Sequence, residues 1–466
     1  MDTNWCPDLT RYAGPRYRAL AEAIAEAVET EALVPGDRLP THRALADALG
    51  VTVGTVTRGY AEAERRGLVH GQVGSGTYVR PTDGNGVEDF ALKPEGAGDG
   101  HVDFGLAFPV PGRRGPTLAD ALRGIADDPR ALQACLSYQP EAGLPRHREV
   151  LADWLRGWGV ELAAEETLLT LGGLHGVYLT LSALARAGET VASAGLVYPG
   201  LIAAARGLGL RHVPVELDEH GIVPEALESA CRQHGVRLVY VTPDQNNPTT
   251  VCLPRSRRHA LLEIAQRYGI TVIEDAVHLV QRDERPPALM DLAPENVVYV
   301  TSVSKILAGG LRVGVVRAPR RLIGPLSQAL RGQCWMTPPL NAEVACRWIA
   351  SGAADELARW QREEIGARQA LVAERLEGLD FRARPYGFNV WLTLPEPWRA
   401  AEFVHACAAA GVVVKGGEPF AVGRYPVPQA VRLAITAPPQ RGDVRRGLDL
   451  IRGVLARGPA GASATL

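Results

Sequence analysis

Apolar positions recur at helical spacing through the first eighty residues and in short blocks from about position 130 onward. Tyr17, Leu20, Ile24 and Val28 fall three and four apart, one apolar face of a helix whose first turn suits Pro15. After the turn Pro35-Gly36-Asp37, Thr41 caps a second helix that buries Leu45 and Leu49 and stops at Gly50. Thr52 caps a third helix, with Val56 and Tyr60 facing inward. Two short helices joined through a glycine turn make a helix-turn-helix. Its second helix presents Val53, Gly54, Thr57 and Arg58 near the end that enters a major groove. Gly67 ends that helix, and Leu68-Val69-His70 and Thr77-Tyr78-Val79 read as strands flanking a glycine-rich tip, Gly71 to Gly76. The expectation for residues 1–80 is a winged helix.

Residues 81–100 are rich in Gly, Pro and acids and read as a linker. Beyond them, apolar blocks alternate with helical stretches. Glu166 to Leu171, Val191, Val236 to Thr242, Thr271 to Ile273 and Val297 to Thr301 are expected strands, with a helix over Val177 to Leu184. That alternation predicts an α/β body over 101–466 with a mainly parallel sheet in its larger part, about 130–335. A smaller α/β part, about 340–456, combines the helical stretch Ala353 to Leu379 with strands at Asn389 to Leu394 and Val412 to Val414. Trp335, Trp391 and Phe388 are expected in the core or an interface, and Gly458 to Leu466 as a disordered tail.

Composition narrows the class. Hydrophobic content of 46% and charged content of 22% fit a soluble globular protein, and no apolar run is long enough to span a membrane. A net charge of -2 excludes a global polycation, so any nucleic-acid contact must be local. Seven scattered cysteines, odd in number and without a C-x-x-C pair, fit reduced thiols in the cytoplasm. They argue against a disulfide framework and against a zinc site.

The candidate chemistry gathers where strands end, the edge at which such sheets bind ligands. Gly172-Gly173 opens a helix whose amides suit a phosphate. The loop Thr242 to Thr249 after Val241 offers an amide side chain, and Glu274-Asp275 offers a carboxylate able to keep a pyridine nitrogen protonated. The strand at Val297 leads into Ser302-Val303-Ser304-Lys305 and on to Arg312. A lysine amine forms a Schiff base with an aldehyde cofactor once its pKa is lowered, and hydroxyls with an arginine hold a phosphate beside it.

The N-terminal segments P-G-D-R-L-P-T-H-R-A-L-A, L-G-V-T-V-G-T-V and G-S-G-T-Y-V resemble the GntR family of bacterial regulators. With N-N-P-T, the strand-end Asp275 and S-V-S-K, the whole chain resembles the MocR subfamily, in which a GntR winged helix is fused to a fold-type I aminotransferase-like domain. The resemblance implies pyridoxal 5'-phosphate as cofactor, joined to Lys305 as an internal aldimine. It implies Asp275 at the pyridine nitrogen, Asn247 and His278 at the ring hydroxyl, and Gly172, Gly173, Ser302, Ser304 and Arg312 around the phosphate. Tyr198 would lie near the cofactor, Tyr138 would reach the site from a partner subunit, and Arg432 would bind an effector carboxylate. On the DNA side it implies Arg43, Thr52, Val53, Thr55, Thr57, Arg58 and the wing glycines Gly74 and Gly76. Three positions depart from the pattern: His278 replaces a usual tyrosine, Thr250 a usual glycine, and Val53 an arginine common in relatives. The implied function is a homodimeric, cytoplasmic transcriptional regulator that binds operator DNA and senses an amino compound by aldimine exchange at Lys305. The alternatives are an active aminotransferase carrying a DNA-binding domain and a binding protein that has lost the cofactor.

Overall fold

The computed structural model describes residues 5–12, 14–30, 32–34, 36–66, 68–72, 76–79 and 100–459. The linker expected over 81–100, except Gly100, lies outside this set, as do Gly74 and the last seven positions of the expected tail.

Three helices, α1 (Arg16–Glu29), α2 (His42–Leu49) and α3 (Val53–Arg65), precede an antiparallel pair, β1 (Val69–Gln72) and β2 (Gly76–Val79). Local chemistry sets the boundaries. Thr41 Oγ1 accepts from the Ala44 N–H at 3.3 Å and Thr52 Oγ1 from the Thr55 N–H at 3.2 Å, each satisfying a donor that the first helical turn leaves free. Gly50 ends α2 at φ 62, the left-handed cap that glycine adopts without a Cβ penalty. Leu20, Ile24, Leu45, Val56, Tyr60, Leu68 and Val79 close one core. A Cβ at Gly59 would sit 2.6 Å from Leu20, so α1 and α3 touch at a position only glycine fits. This is a winged helix.

The large sheet has seven strands: β3 (Thr167–Thr170), β4 (Thr190–Ala194), β5 (Arg211–Val215), β6 (Val236–Val241), β7 (Thr271–Asp275), β8 (Val297–Ser302) and β9 (Gly314–Arg317). Their order is β3-β9-β8-β7-β6-β4-β5, and β9 alone runs antiparallel to its neighbours. Successive residues alternate between two cores. Leu169, Val239, Val272 and Val297 face one side, while Leu168, Leu238, Ile273 and Val298 face the other. A sheet covered on both faces needs this continuous apolar run.

A four-stranded sheet (Phe381–Ala383, Asn389–Thr393, Ala430–Ala434, Lys415–Gly416) packs with helices Ala353–Arg375 and Arg441–Arg457 around Phe403, Leu433 and Leu448. Val102–Asp103 pairs in parallel with Val412–Val413, so the body's first described strand belongs to this smaller unit. Trp391 and Phe388 are buried, as expected. Trp335 is not a core residue: it is 57% exposed, its ring 5.9 Å from Tyr138. Among the described residues no helix is long and apolar enough to cross a membrane, and no His/Cys/Asp/Glu group could hold a metal.

Candidate functional site

Strand ends of the large sheet converge on Lys305. β8 ends at Ser302, and the turn that follows carries Ser304 and Lys305. The Lys305 Nζ donates to the Ala107 carbonyl, and the side chain is only partly accessible. Burial, with the charge of Arg432 second, brings the amine down to about 8. The backbone beneath it is clamped. Gln361 donates to the Lys305 carbonyl at 2.6 Å and accepts from the Val110 N–H at 3.1 Å and from Arg114 at 2.8 Å. Arg114 also donates to the carbonyls of Ile306 and Leu307, which ties the lysine turn to the 107–114 segment.

Asp275 ends β7. Its Oδ2 accepts from the Tyr240 hydroxyl at 2.5 Å and its Oδ1 from the Val277 N–H at 3.1 Å. Burial raises its pKa, while Tyr240, Val277 and the Lys305 charge act in the opposite direction. Three residues on, burial and the positive charges of Lys305 and Arg432 hold His278 down at about 3, so its imidazole is neutral. Tyr198 precedes helix Pro199–Gly207, and burial followed by the Asp275 charge raises its phenol.

The glycine turn after β3 is shaped by its neighbours. Gly172 lies at φ 81, and a Cβ there would come within 2.4 Å of the Arg312 guanidinium; a Cβ at Gly173 would meet Val277 at 2.4 Å. Arg312, itself at φ 50, donates to the Leu171 carbonyl at 2.9 Å. Thr250 keeps the left-handed backbone at φ 61 although it is not glycine, and Leu279 beside His278 does the same at φ 49. β-branched residues rarely occupy that region, and such strain clusters at functional sites.

Arg432 is buried on the smaller sheet. It donates to the Gly105 carbonyl and to Asn389 Oδ1 at 3.3 Å and lies over the Phe420 ring. Burial lowers its pKa to about 10, against the opposing charge of Asp103. Buried polar atoms without a hydrogen-bond partner include His278 Nδ1, Ser304 Oγ and Arg432 Nε here, and Asn247 Oδ1 in the loop after β6. Buried groups are rarely left so unless a ligand or water completes them.

Of the residues expected at the cofactor, Lys305, Asp275, His278, Tyr198, Gly172, Gly173, Arg312 and Arg432 are linked by the contacts and charge interactions just described. Ser302 Oγ accepts from the Ser304 N–H at 3.4 Å, within the same turn. Tyr138 is not among them; it is 83% exposed against Trp335. Tyr240, Arg114 and Gln361 escaped the sequence reading. Tyr240 reads there as one more strand residue, and only its register beside β7, which pairs Tyr240 with Ile273, reveals its reach to Asp275.

On the winged helix, Arg43, Thr52, Val53, Thr57 and Arg58 are exposed and Thr55 is partly so. Thr57 also meets His42 Nδ1 at 3.3 Å, tying α3 to the start of α2. Gly76 lies at φ 131, where a Cβ would stand 2.7 Å from the Arg38 guanidinium.

Residues 112–451 match the family Aminotransferase class I and II, and residues 16–79 match Bacterial regulatory proteins, gntR family. The chain is 29% identical over 452 residues to the uncharacterized HTH-type transcriptional regulator YdeF of Bacillus subtilis, covering 97% of each. It is 30% identical over 377 residues to the HTH-type pyridoxine biosynthesis transcriptional regulator PdxR of Corynebacterium glutamicum, covering 77% of this chain and 78% of that one. Among solved structures it is similar to LysN, an alpha-aminoadipate aminotransferase of Thermus thermophilus complexed with N-(5'-phosphopyridoxyl)-L-leucine. The TM-score is 0.69 at 26% identity, over 81% of this chain and 98% of that one. A winged helix of the gntR type joined to a pyridoxal-phosphate-type fold places this chain in the class I and II aminotransferase family, among the transcriptional regulators of the MocR subfamily.

Proposed function

We propose that this regulator binds pyridoxal 5'-phosphate at Lys305 and uses it to sense a small amino compound, passing the outcome to operator DNA through the winged helix. The observation that carries the reading is the set of unpartnered buried atoms on His278, Ser304 and Arg432, around a lysine amine lowered to about 8, with one more on Asn247 in the loop after β6. Their chemistry fits the group. A hydroxyl donor and Arg312 beside the Gly172-Gly173 helix opening suit its phosphate, with Ser302 adjacent. Asn247 and His278 suit its ring hydroxyl, and Asp275 its ring nitrogen. When bound, the cofactor supplies a carbonyl that amines can capture and a ring that withdraws electrons. Lys305 contributes an amine that burial brings down to about 8, so far more of it is free base near neutral pH than of an ordinary lysine, and Arg432 a fork that a carboxylate of the sensed compound can pair with.

The domains divide in this reading at 1–80, 81–100 and 101–466, with the effector in the cleft of the last. The active form is a homodimer in the cytoplasm. Leu118, Leu122, Leu132, Leu136, Tyr138, Trp335 and Leu340 are large, apolar and exposed. They lie on mutually packed helices, Arg114–Ala126, Pro129–Leu136 and Pro339–Ala350, and on the adjoining turns. An apolar face of this kind suits a second copy, which would bring Tyr138 to the partner's cleft.

The visible absorption spectrum of full-length protein with pyridoxal phosphate, wild type beside Lys305→Ala, tests the cofactor step. A protein-dependent band in wild type that the variant lacks supports the reading, and no band in wild type sinks it. The lowered Lys305 amine also favours a second reading, a working aminotransferase, for which multiple turnovers of an amino donor with a keto acid are the discriminating assay.

A further inference from the structure

We infer that Tyr240 is a positioning residue of the cofactor site, whose hydroxyl orients Asp275 as a hydrogen-bond acceptor toward the ring nitrogen. The inference rests on the pyridoxal-phosphate reading above and extends it to a residue of the adjacent strand. Tyr240 is 1% exposed and lies within an otherwise apolar cluster with Leu238, Ile273, Val298 and Val300. An unpaired phenol in such a place is unfavourable, and the partner of this one is Asp275 Oδ2, at 2.5 Å. The Val277 N–H occupies the other carboxylate oxygen at 3.1 Å, so both Asp275 oxygens are held from within the fold. The carboxylate therefore cannot rotate without losing a buried bond. Its remaining lone pairs are left for a donor outside the sheet.

Among the described residues, the charged and titratable groups that act on Asp275 include Lys305, Tyr198 and Tyr240 itself. Burial pushes the Asp275 carboxyl up, and among the opposing influences the Tyr240 hydrogen bond ranks first, ahead of Val277 and Lys305. Burial also raises the Tyr240 phenol well above its usual value, so it stays protonated and acts only as a donor. A phenol that keeps the acid ionised helps that acid keep a pyridine nitrogen protonated.

A tyrosine that merely fills the core makes a different forecast, and Tyr240→Phe separates the two. Phenylalanine preserves the ring and its packing. The experiment uses full-length protein loaded with pyridoxal phosphate labelled with nitrogen-15 in the ring. The readouts are the ring-nitrogen resonance, the cofactor dissociation constant from the visible band, and thermal unfolding. The expected result is a resonance shifted toward the unprotonated ring, with binding weaker by about tenfold, the scale of one lost charge-assisted hydrogen bond. In an Asp275→Asn background the same change should add little, because the two residues act as one unit. A second variant, a fluorinated tyrosine placed only at position 240, strengthens the donor and should move the resonance the other way. A wild-type band with Tyr240→Phe or fluorotyrosine protein indistinguishable in resonance and affinity overturns the inference alone. Absence of a band in wild type overturns the cofactor reading, and this inference with it.

Discussion

On α3 and at the start of α2, Val53, Thr57, Arg58 and Arg43 stand in solvent, and the hydrogen bonds of Thr52 and Thr57 are spent within the helix-turn-helix itself. At the strand ends around Lys305, the buried or partly buried Lys305, Asp275, His278 and Arg432 have displaced pKa values, and two of their polar atoms, His278 Nδ1 and Arg432 Nε, lack partners. The first surface is open to solvent and suits a polyanion whose binding releases counterions. The second holds buried polar atoms without partners, which in the proposed reading a small polar ligand completes. Loss of a group from the DNA face should therefore weaken binding by degrees, whereas loss of a group from the cleft should remove a chemical step or leave a buried partner exposed.

The largest expected effect is that of Lys305→Ala: no cofactor band and no effector response, with basal operator binding within about twofold of wild type in a gel-shift titration. A basal loss comparable to the cleft defect would show that the two regions do not separate. Arg432→Gln should weaken carboxylate-bearing effectors by about a hundredfold, the scale of a buried charge-assisted pair, while leaving the cofactor band in place. Titrating the band with amino acids and with their amides checks this.

The pH dependence follows from Lys305. Its amine stands at about 8 in the folded chain against an ordinary 10.5. Between those values the unfolded chain holds the extra proton, so this residue makes stability rise with pH across that window, and Lys305→Met should flatten the rise. Below about 8 the free-base fraction falls roughly tenfold per pH unit, and the initial rate of cofactor capture should fall with it. Stopped-flow absorbance from pH 6 to 9 reads that slope.

Smaller changes should come from the DNA face. Arg43→Ala is expected to weaken operator binding across sequences by about tenfold and to reduce the salt slope by about one, as for one lost phosphate contact. Smallest is Thr250→Gly, which relieves a left-handed β-branched residue and should stabilise the fold by about 1 kcal/mol, read by denaturant titration.

The sequence made the winged helix legible nearly residue by residue, because its boundaries are local. Thr41, Gly50 and Thr52 cap and stop helices through bonds to residues three or four away. The parallel sheet was legible as alternation, and Lys305, Asp275 and Gly172 as polar or glycine residues at strand ends. Contacts between distant segments were not legible. Tyr240 reaches Asp275 across neighbouring strands, and Arg114 and Gln361 meet beneath Lys305 from 247 residues apart. Nothing in periodicity marks such pairs. Of the two places expected for Trp335, the core is excluded by its exposure, because an indole at that position in the sequence does not reveal which neighbours cover it.

The most direct test of the account is operator affinity at fixed salt with pyridoxal phosphate present, measured across a panel of amino acids and ω-amino acids for wild type and Lys305→Ala. The account predicts that at least one compound shifts both the visible band and the operator affinity of wild type by about tenfold, the scale of a coupling near 1.4 kcal/mol, and shifts neither in the variant. A compound that changes DNA affinity equally in both proteins would place the sensing elsewhere than Lys305 and contradict the central claim.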